Sequence, residues 1–490
     1  MARPKTNIPL RRKRGAPPPL VALDRHAPVP MFLQIYRSLQ QSIIAGRISS
    51  GNRLPSSRTL AEDLHVARTT VVLAYEHLEA EGYVIGKGSA GTIVADVQLP
   101  RETQKTVRNN ETPVSATSHF SPLSSRPVPF RIGEPALDAF PTALWSRLYA
   151  RRARRSGAFL LGYGDSAGYP PLRRAIAEYI AVSRSVRTVT EQVILTRGAQ
   201  QAMDLVARVL LQTGDRVWVE DPGYLAPREL IELAGAIPVP VPVDDCGLNV
   251  EVGIQRAPSA QMVCVAPSHQ FPLGRTLSLA RRLDLLHWAS QSAAWIVEDD
   301  YDSEFRYAGA PIASLQGLDS ANRVIYVGTF SKTVYPALRL GYLISPPELL
   351  DRFCAAKAAM DSISPTIEQA TLTDFIQEGH FTRHVRRMRA IYRERQEVLL
   401  EAAGRELSGI LQMQAAETGM HVVGWLLRRG VDDISVSREA QRHGIETRPL
   451  SRYCLHAALP PALVLGFGAV SPRELTSGIR KLRDALMKRK

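Results

Sequence analysis

The stretch VIYVGTFSKTVYPALRLGY, Val324 to Tyr342, decides how the larger part of this 490-residue chain is read. It opens on Val324, Ile325, Tyr326 and Val327, an apolar β-branched and aromatic run that predicts a buried strand. Lys332 follows the strand. A lysine held close to an aldehyde cofactor can form a Schiff base with it, and Thr329 and Arg339 could bind a phosphate. Taken alone, the lysine could equally be solvated in a loop, the usual fate of lysine.

Three further stretches bear on that choice. WIVEDDYDSEF, Trp295 to Phe305, is a buried strand ending in acids and a tyrosine. Strand C-termini of open α/β sheets line the ligand crevice, so a carboxylate there could pair with a pyridinium nitrogen; a helix cap or a surface acid cluster is the plainer alternative. VILTRGAQQAMDLVARVLL, Val193 to Leu211, reads as strand, glycine turn and helix. Backbone N–H groups at such a helix start bind phosphate, although many αβ units carry such a turn. EDPGY, Glu220 to Tyr224, ends a strand and offers an aromatic face. Strands over Val193–Leu195, Val217–Glu220, Met262–Val265, Trp295–Glu298 and Val324–Val327 alternate with helices such as Gln200–Leu211 and Leu277–Ser290. Alternation of this kind predicts a doubly wound α/β sheet.

The N-terminal part has a different character. The chain carries a net charge of +14, and residues 1–95 hold 13 Lys and Arg against 6 Asp and Glu, a surplus of 7. Half of the excess charge sits in about a fifth of the chain, as expected of a domain that meets a phosphate backbone, although a solubilising surface would look the same. Residues 1–27 read as a basic flexible tail and 28–96 as a compact module. Residues 97–129, rich in Ser, Thr, Pro and Asn, read as a linker, and 130–487 as the α/β domain. Within the module, Phe32, Ile35, Leu39 and Ile43 mark one helix, stopped by Gly46. A second helix is capped by Ser56 or Ser57, and a third starts at Arg68 after the turn His65 to Ala67. Two short helices joined by a tight turn form a helix-turn-helix, whose second helix presents Arg68, Thr69 and Thr70 to base edges and phosphates. YVIGKGSAGTIVA, Tyr83 to Ala95, predicts two strands around a glycine-rich wing with Lys87 at its tip.

Other classes are excluded. No apolar run approaches the ~20 residues of a membrane span, and no apolar segment follows RRKRGAPPP as a secretory signal would require. The four cysteines are far apart with no CxxC spacing, which predicts neither a metal site nor a disulfide framework and fits a reducing cytoplasm.

The module resembles the GntR family of winged-helix regulators. The motifs G-x-R-L-P-S-S-R, V-x-R-T-T-V, L-E-x-E-G-Y and G-x-x-G-T-x-V stand in register. The resemblance implies that Arg58, Arg68, Thr69, Thr70 and the wing around Lys87 and Gly88 bind double-stranded operator DNA. Two departures stand out. Ala67 replaces the usual Ser or Thr, at ~1 kcal/mol of lost capping, and Val72 stands where some relatives place an arginine.

Residues 130 to 487 resemble a fold-type I, pyridoxal-phosphate-dependent aminotransferase domain, with a mostly parallel sheet and a smaller C-terminal subdomain. The resemblance makes Lys332 the covalent anchor of pyridoxal phosphate, Asp299 the partner of the pyridine nitrogen and Tyr301 the donor to the ring oxygen. Tyr224 would stack on the ring, and Ala199, Gln200, Thr329, Ser331 and Arg339 would hold the phosphate. APSHQFPLG, Ala266 to Gly274, replaces the usual asparagine turn with His269 and Gln270, which join the expected cofactor contacts. That form resembles the MocR/GabR-type regulators, in which a late arginine binds the effector carboxylate; Arg452 is the candidate and Arg448 its competitor. Leu273 departs from the small hydroxyl residue common there. The resemblance implies a homodimeric transcription regulator that senses an amino compound or pyridoxal phosphate with little or no efficient transamination. The alternative is a working aminotransferase that carries a DNA-binding module.

Overall fold

The computed structural model describes residues 21, 23–25, 27–86, 91–96, 126–309, 313–428 and 430–487. Contacts divide the chain into two compact units, Met1–Ser121 and Pro122–Lys490. Lys87 and Gly88 of the expected wing lie outside the described residues, as do most of the expected tail and linker.

The first unit is built from α1 (Met31–Ile44), α2 (Ser57–Leu64), α3 (Arg68–Ala80) and the strands β1 (Val84–Gly86) and β2 (Thr92–Val94). Apolar residues spaced for one helix face explain the packing. Ile35, Leu39 and Ile43 of α1 meet Leu60 and Ala61 of α2 and Val71, Ala74 and Leu78 of α3 in one core. Ser56 is the cap of α2, its side chain accepting from the Thr59 N–H, whereas Ala67 gives α3 no side-chain cap. His65 ends α2 in the left-handed region at φ 51°, and the turn that follows aims α3. The Tyr75 hydroxyl ties α3 to the Pro55 carbonyl at 2.8 Å. β1 and β2 pair antiparallel from Val84 opposite Val94 to Gly86 opposite Thr92.

The second unit carries an eight-stranded sheet of β3 (Val193–Thr196), β4 (Arg216–Asp221), β5 (Ile237–Asp244), β6 (Gly247–Leu248), β7 (Met262–Val265), β8 (Trp295–Asp300), β9 (Val324–Thr329) and β10 (Gly341–Ile344), in the order β3-β10-β9-β8-β7-β4-β5-β6. Neighbours from β9 through β5 are parallel, while β10 runs antiparallel to both β3 and β9. β3 therefore points the same way as β9, and the C-terminal ends of β3, β9, β8, β7 and β4 share one edge. Both faces are covered by apolar clusters, which is why β9 is buried at every residue. A smaller antiparallel sheet follows, β11 (Leu411–Met413), β12 (His421–Leu426), β13 (Arg448–Pro449) and β14 (Ala462–Gly466), in the order β11-β12-β14-β13. The amphipathic helices His380–Glu406 and Pro472–Met487 pack with it in a core that includes Leu399, Leu465, Ile479 and Leu482. The expected fold classes of both units are therefore present. Among the described residues, no helix is long and apolar enough to cross a membrane.

Candidate functional site

The shared edge of strand ends opens into a cavity of about 680 Å³. Its lining contains Ala199, Gln200, Tyr224, Asp299, Tyr301, Thr329, Ser331, Lys332, Arg339 and Arg448. β8 carries Asp299 on the strand itself and hands the chain on to Tyr301. β9 ends at Thr329, whose hydroxyl accepts from the Ser331 N–H at 3.2 Å and donates to the Ser331 hydroxyl at 3.1 Å. The bend so formed delivers Lys332. Gly198, at φ 97°, turns the chain from β3 into the helix Ala199–Leu210, which has no side-chain cap. The first-turn N–H groups of a helix lack intrahelical partners and favour an anion. Arg339 reaches the same turn: a Cβ added to Gly198 would lie 3.7 Å from its Nη1.

The electrostatics are those of buried titratable groups. Burial pushes the Asp299 carboxyl up to about 7, helped by Asp300 and Asp302 and opposed by Lys332. Its Oδ1 is buried without a hydrogen-bond partner. A carboxylate in that condition calls for a cationic donor. Burial likewise raises Glu220, also on the cavity wall, to about 8, partly offset by the Ala266 N–H and by Gln270. The Lys332 amine is shifted the other way, downward, by burial, against the pull of Asp302, Asp299 and Glu134. Its Nζ donates to the Gly133 carbonyl at 2.7 Å. Tyr224 is 47% exposed, and its ring meets Phe271 edge-on with centroids 5.9 Å apart.

His269 and Gln270 are buried behind the wall; from that turn it is Phe271 that lines the cavity. His269 Nδ1 lies 3.0 Å from both Asp302 carboxylate oxygens and from the Tyr301 hydroxyl. The Gln270 amide donates to the Pro222 carbonyl at 2.8 Å and its oxygen accepts from the Leu273 N–H at 3.2 Å, which shapes the turn. His421 sits 4.8 Å from the His269 ring centre. Burial lowers its pKa to about 3, with His269 adding to the effect, and its Nε2 donates to the Pro272 carbonyl.

Of the two late arginines, Arg448 lines the cavity, whereas Arg452, in the turn Leu450–Tyr453, does not. Arg448 is bound to Glu446 at 2.7 Å, and Glu446 to Arg131 at 2.9 Å. Sequence reasoning missed Arg131, Gly133, Glu134, Glu220, Phe271 and Glu446, all on the wall. One signal was available: Glu446 stands two residues before Arg448, so an extended chain sends both side chains to one side.

In the first unit, Arg68 and Thr69 are exposed and Thr70 half-buried at the start of α3. Arg58 is exposed on α2 and pairs with Glu62 at 3.2 Å, and Arg68 Nε donates to the Ser57 hydroxyl at 3.3 Å. The helix-turn-helix thus carries Arg58 at the start of α2 and Arg68, Thr69 and Thr70 at the start of α3.

Residues 32–94 match the family of bacterial regulatory proteins, gntR family, and residues 129–484 match aminotransferase class I and II. The chain is 40% identical to the probable rhizopine catabolism regulatory protein MocR of Rhizobium meliloti, over 96% of each chain. It is 29% identical to the pyridoxine biosynthesis transcriptional regulator PdxR of Corynebacterium glutamicum, over 95% of this chain and 98% of that one. Among solved structures, LysN, the α-aminoadipate aminotransferase of Thermus thermophilus complexed with N-(5'-phosphopyridoxyl)-L-leucine, is similar at a TM-score of 0.68 and 29% identity, covering 74% of this chain and 92% of that one. The chain belongs to the MocR-type GntR family of transcription regulators, in which a helix-turn-helix DNA-binding domain is joined to an aminotransferase class I and II domain.

Proposed function

We propose that this regulator holds pyridoxal phosphate at the strand-end cavity and uses it to sense an amino compound, or the cofactor itself, as a change in operator affinity. The aminotransferase class I and II family implies pyridoxal phosphate as the cofactor. The observation that carries the reading is the orphaned Asp299 Oδ1 in the cavity that also holds Lys332 and the Gly198–Gln200 turn. The residues fit the group. Lys332 would hold its aldehyde end, Asp299 its ring nitrogen, Tyr301 its ring oxygen and Tyr224 its face. The Ala199 and Gln200 N–H groups, Thr329, Ser331 and Arg339 would take its phosphate. His269 and Gln270 act one layer back, His269 on the Tyr301 hydroxyl and Gln270 on the backbone of the turn. When bound, pyridoxal phosphate supplies an aldehyde that captures amines and a ring that draws in electron density. Burial makes the Lys332 amine easier to deprotonate, and the neutral form is the nucleophile. Arg448 would receive an effector carboxylate, with Arg452 outside the lining as the weaker candidate.

The regulator works as a cytoplasmic homodimer. Phe159, Leu161 and Tyr163 are 64%, 69% and 95% exposed within five residues, an apolar patch of the kind a partner copy covers. Two copies place two helix-turn-helix units on two half-sites, with Lys87 and Gly88 of the wing on the phosphate backbone. Efficient turnover is not expected: a sensor gains from a long-lived bound state, whose lifetime sets the shift in population, whereas transamination needs a site that reopens at each cycle.

The test is binding of DNA flanking the regulator's own gene by stripped and cofactor-loaded full-length protein, followed by product analysis with a panel of amines. A change in DNA affinity with cofactor or amine, and negligible keto product, is expected. Identical affinities in all states, or sustained turnover near the ~10 s⁻¹ of ordinary enzymes, would overturn the reading.

A further inference from the structure

We propose that Glu446 sets the effector specificity of the cavity, by holding Arg448 and Arg131 in an ion-pair bridge that a carboxylate on the effector must displace. The inference rests on the reading of Arg448 as an effector-binding arginine. Arg448 Nη2 meets one Glu446 oxygen at 2.7 Å, while Arg131 Nε donates to the other at 2.9 Å and Arg131 Nη1 to Glu134 at 3.1 Å. All four side chains line the cavity. The two arginines and two glutamates cancel in charge. Their side chains are 28%, 8%, 20% and 18% exposed for Arg448, Arg131, Glu446 and Glu134, so water screens the bridge poorly.

Two consequences follow for recognition. An incoming carboxylate finds no net positive charge in this cluster and gains the full charge of Arg448 only as Glu446 lets go of its Nη2. An amine without a carboxylate leaves the bridge intact. Glu446 therefore raises the threshold that a carboxylate effector must pass, and discriminates among ligands by what they offer Arg448 in its place.

The bridge also grips the segment through which the chain enters this unit. The Glu446 N–H donates to the Pro129 carbonyl at 3.0 Å, and the Gly466 N–H to the Phe130 carbonyl at 3.0 Å. Arg131, on that same segment, is bound to the Glu446 carboxylate. Displacement of Glu446 at Arg448 thus loosens residues 129–131, where the expected linker ends, and gives carboxylate binding a route to the chain that leads to the DNA-binding unit.

The test uses cofactor-loaded full-length protein and a matched ligand series, straight-chain amino acids of about two to six carbons and the alkylamines of equal length. Affinity is read from the change in the visible absorption band. Glu446→Gln keeps the size of the side chain and removes its charge, so binding of the amino acids strengthens about tenfold, the usual weight of one charge-assisted hydrogen bond. Alkylamine binding changes by less than about twofold. In hydrogen exchange, amino acids speed exchange at the Glu446 and Gly466 amides of the wild type and alkylamines do not. Arg448→Ala abolishes the preference for amino acids over alkylamines. Equal shifts for both ligand classes in Glu446→Gln, no shift in either, or a wild type without preference for any amino acid would overturn the inference. If Arg448→Ala keeps the wild-type preference, the reading of Arg448 has failed. If only Glu446→Gln is silent, the role of Glu446 alone has failed. Glu446→Asp, whose shorter arm weakens the bridge without deleting the charge, should fall between; wild-type behaviour there alongside a misfolded Glu446→Gln also counts against the proposal.

Discussion

Replacing Asp299 with Asn should make the cofactor-free protein more stable, and increasingly so as the pH rises. In the cofactor-free protein the Asp299 carboxyl is pushed from 3.8 up to about 7, chiefly by burial, with Asp300 and Asp302 adding to the shift. A folded pKa above the unfolded one means that the folded state binds more protons between the two values. Stability is then full below the unfolded pKa and is lost as pH rises through the folded one. Each pH unit inside that window removes about 1.4 kcal/mol. Between about pH 5.5 and about pH 7, wild-type protein therefore loses roughly 2 kcal/mol through this one group, and loses no more above it. Asparagine cannot ionise, so the variant lacks this slope, and Glu220, which the Asp299 charge helps to raise, is shifted less in the variant and changes the difference in the same direction. The assay is urea unfolding of the stripped full-length chain at about pH 5.5 and about pH 8, comparing midpoints at equal slope. The variant's advantage should grow by roughly 2 kcal/mol between the two. An advantage that stays constant with pH would refute the argument that Asp299 is held ready for a cation. The same variant should bind pyridoxal phosphate more weakly, because a neutral amide cannot form an ion pair with a protonated ring nitrogen.

Three further outcomes are expected. Lys332→Ala should abolish covalent, borohydride-trappable attachment of the cofactor; retention of the visible band and the trapped adduct would reassign the anchor. Arg68→Ala should cost ~1–3 kcal/mol in operator binding and relax specificity at one position, and unchanged binding by the Arg58→Ala, Arg68→Ala double variant would remove the helix-turn-helix from DNA recognition. Tyr75→Phe deletes the 2.8 Å bond to the Pro55 carbonyl and should destabilise the first unit by about 1 kcal/mol in thermal unfolding; an unchanged transition would count against that tie.

Much of the architecture was readable because it follows from periodicity. Val324–Val327 and Trp295–Glu298 are apolar without alternation, as strands buried on both faces must be, and both lie inside observed strands. β5 is harder to read. IPVPVPVD places proline at every second position, which argues against a central strand; it lies next to the end of the sheet, where missing N–H groups on one side are tolerated. In the cavity, residues on strand ends were legible, since the strand fixes where they emerge. Residues whose role depends on distant packing were not: Gly133 meets Lys332 across 199 positions of sequence. The His269 turn shows the limit between the two. The motif was visible, but it is not a regular strand, so no alternation told that Phe271 would face the cavity and His269 would stand behind Tyr301.

The cavity wall draws on the chain from Arg131 to Tyr453, so almost the whole second unit must be folded before any of it exists. A ligand bound there therefore pulls on the folding equilibrium of the entire unit. At a hundredfold excess over its Kd, such a ligand adds about 2.7 kcal/mol to stability. In a cell, that difference decides how much of the chain is exposed to proteases. The supply of pyridoxal phosphate would then help to set how many copies of the regulator survive. Scarcity of the cofactor would be registered as loss of the regulator itself, on the slow timescale of synthesis and degradation.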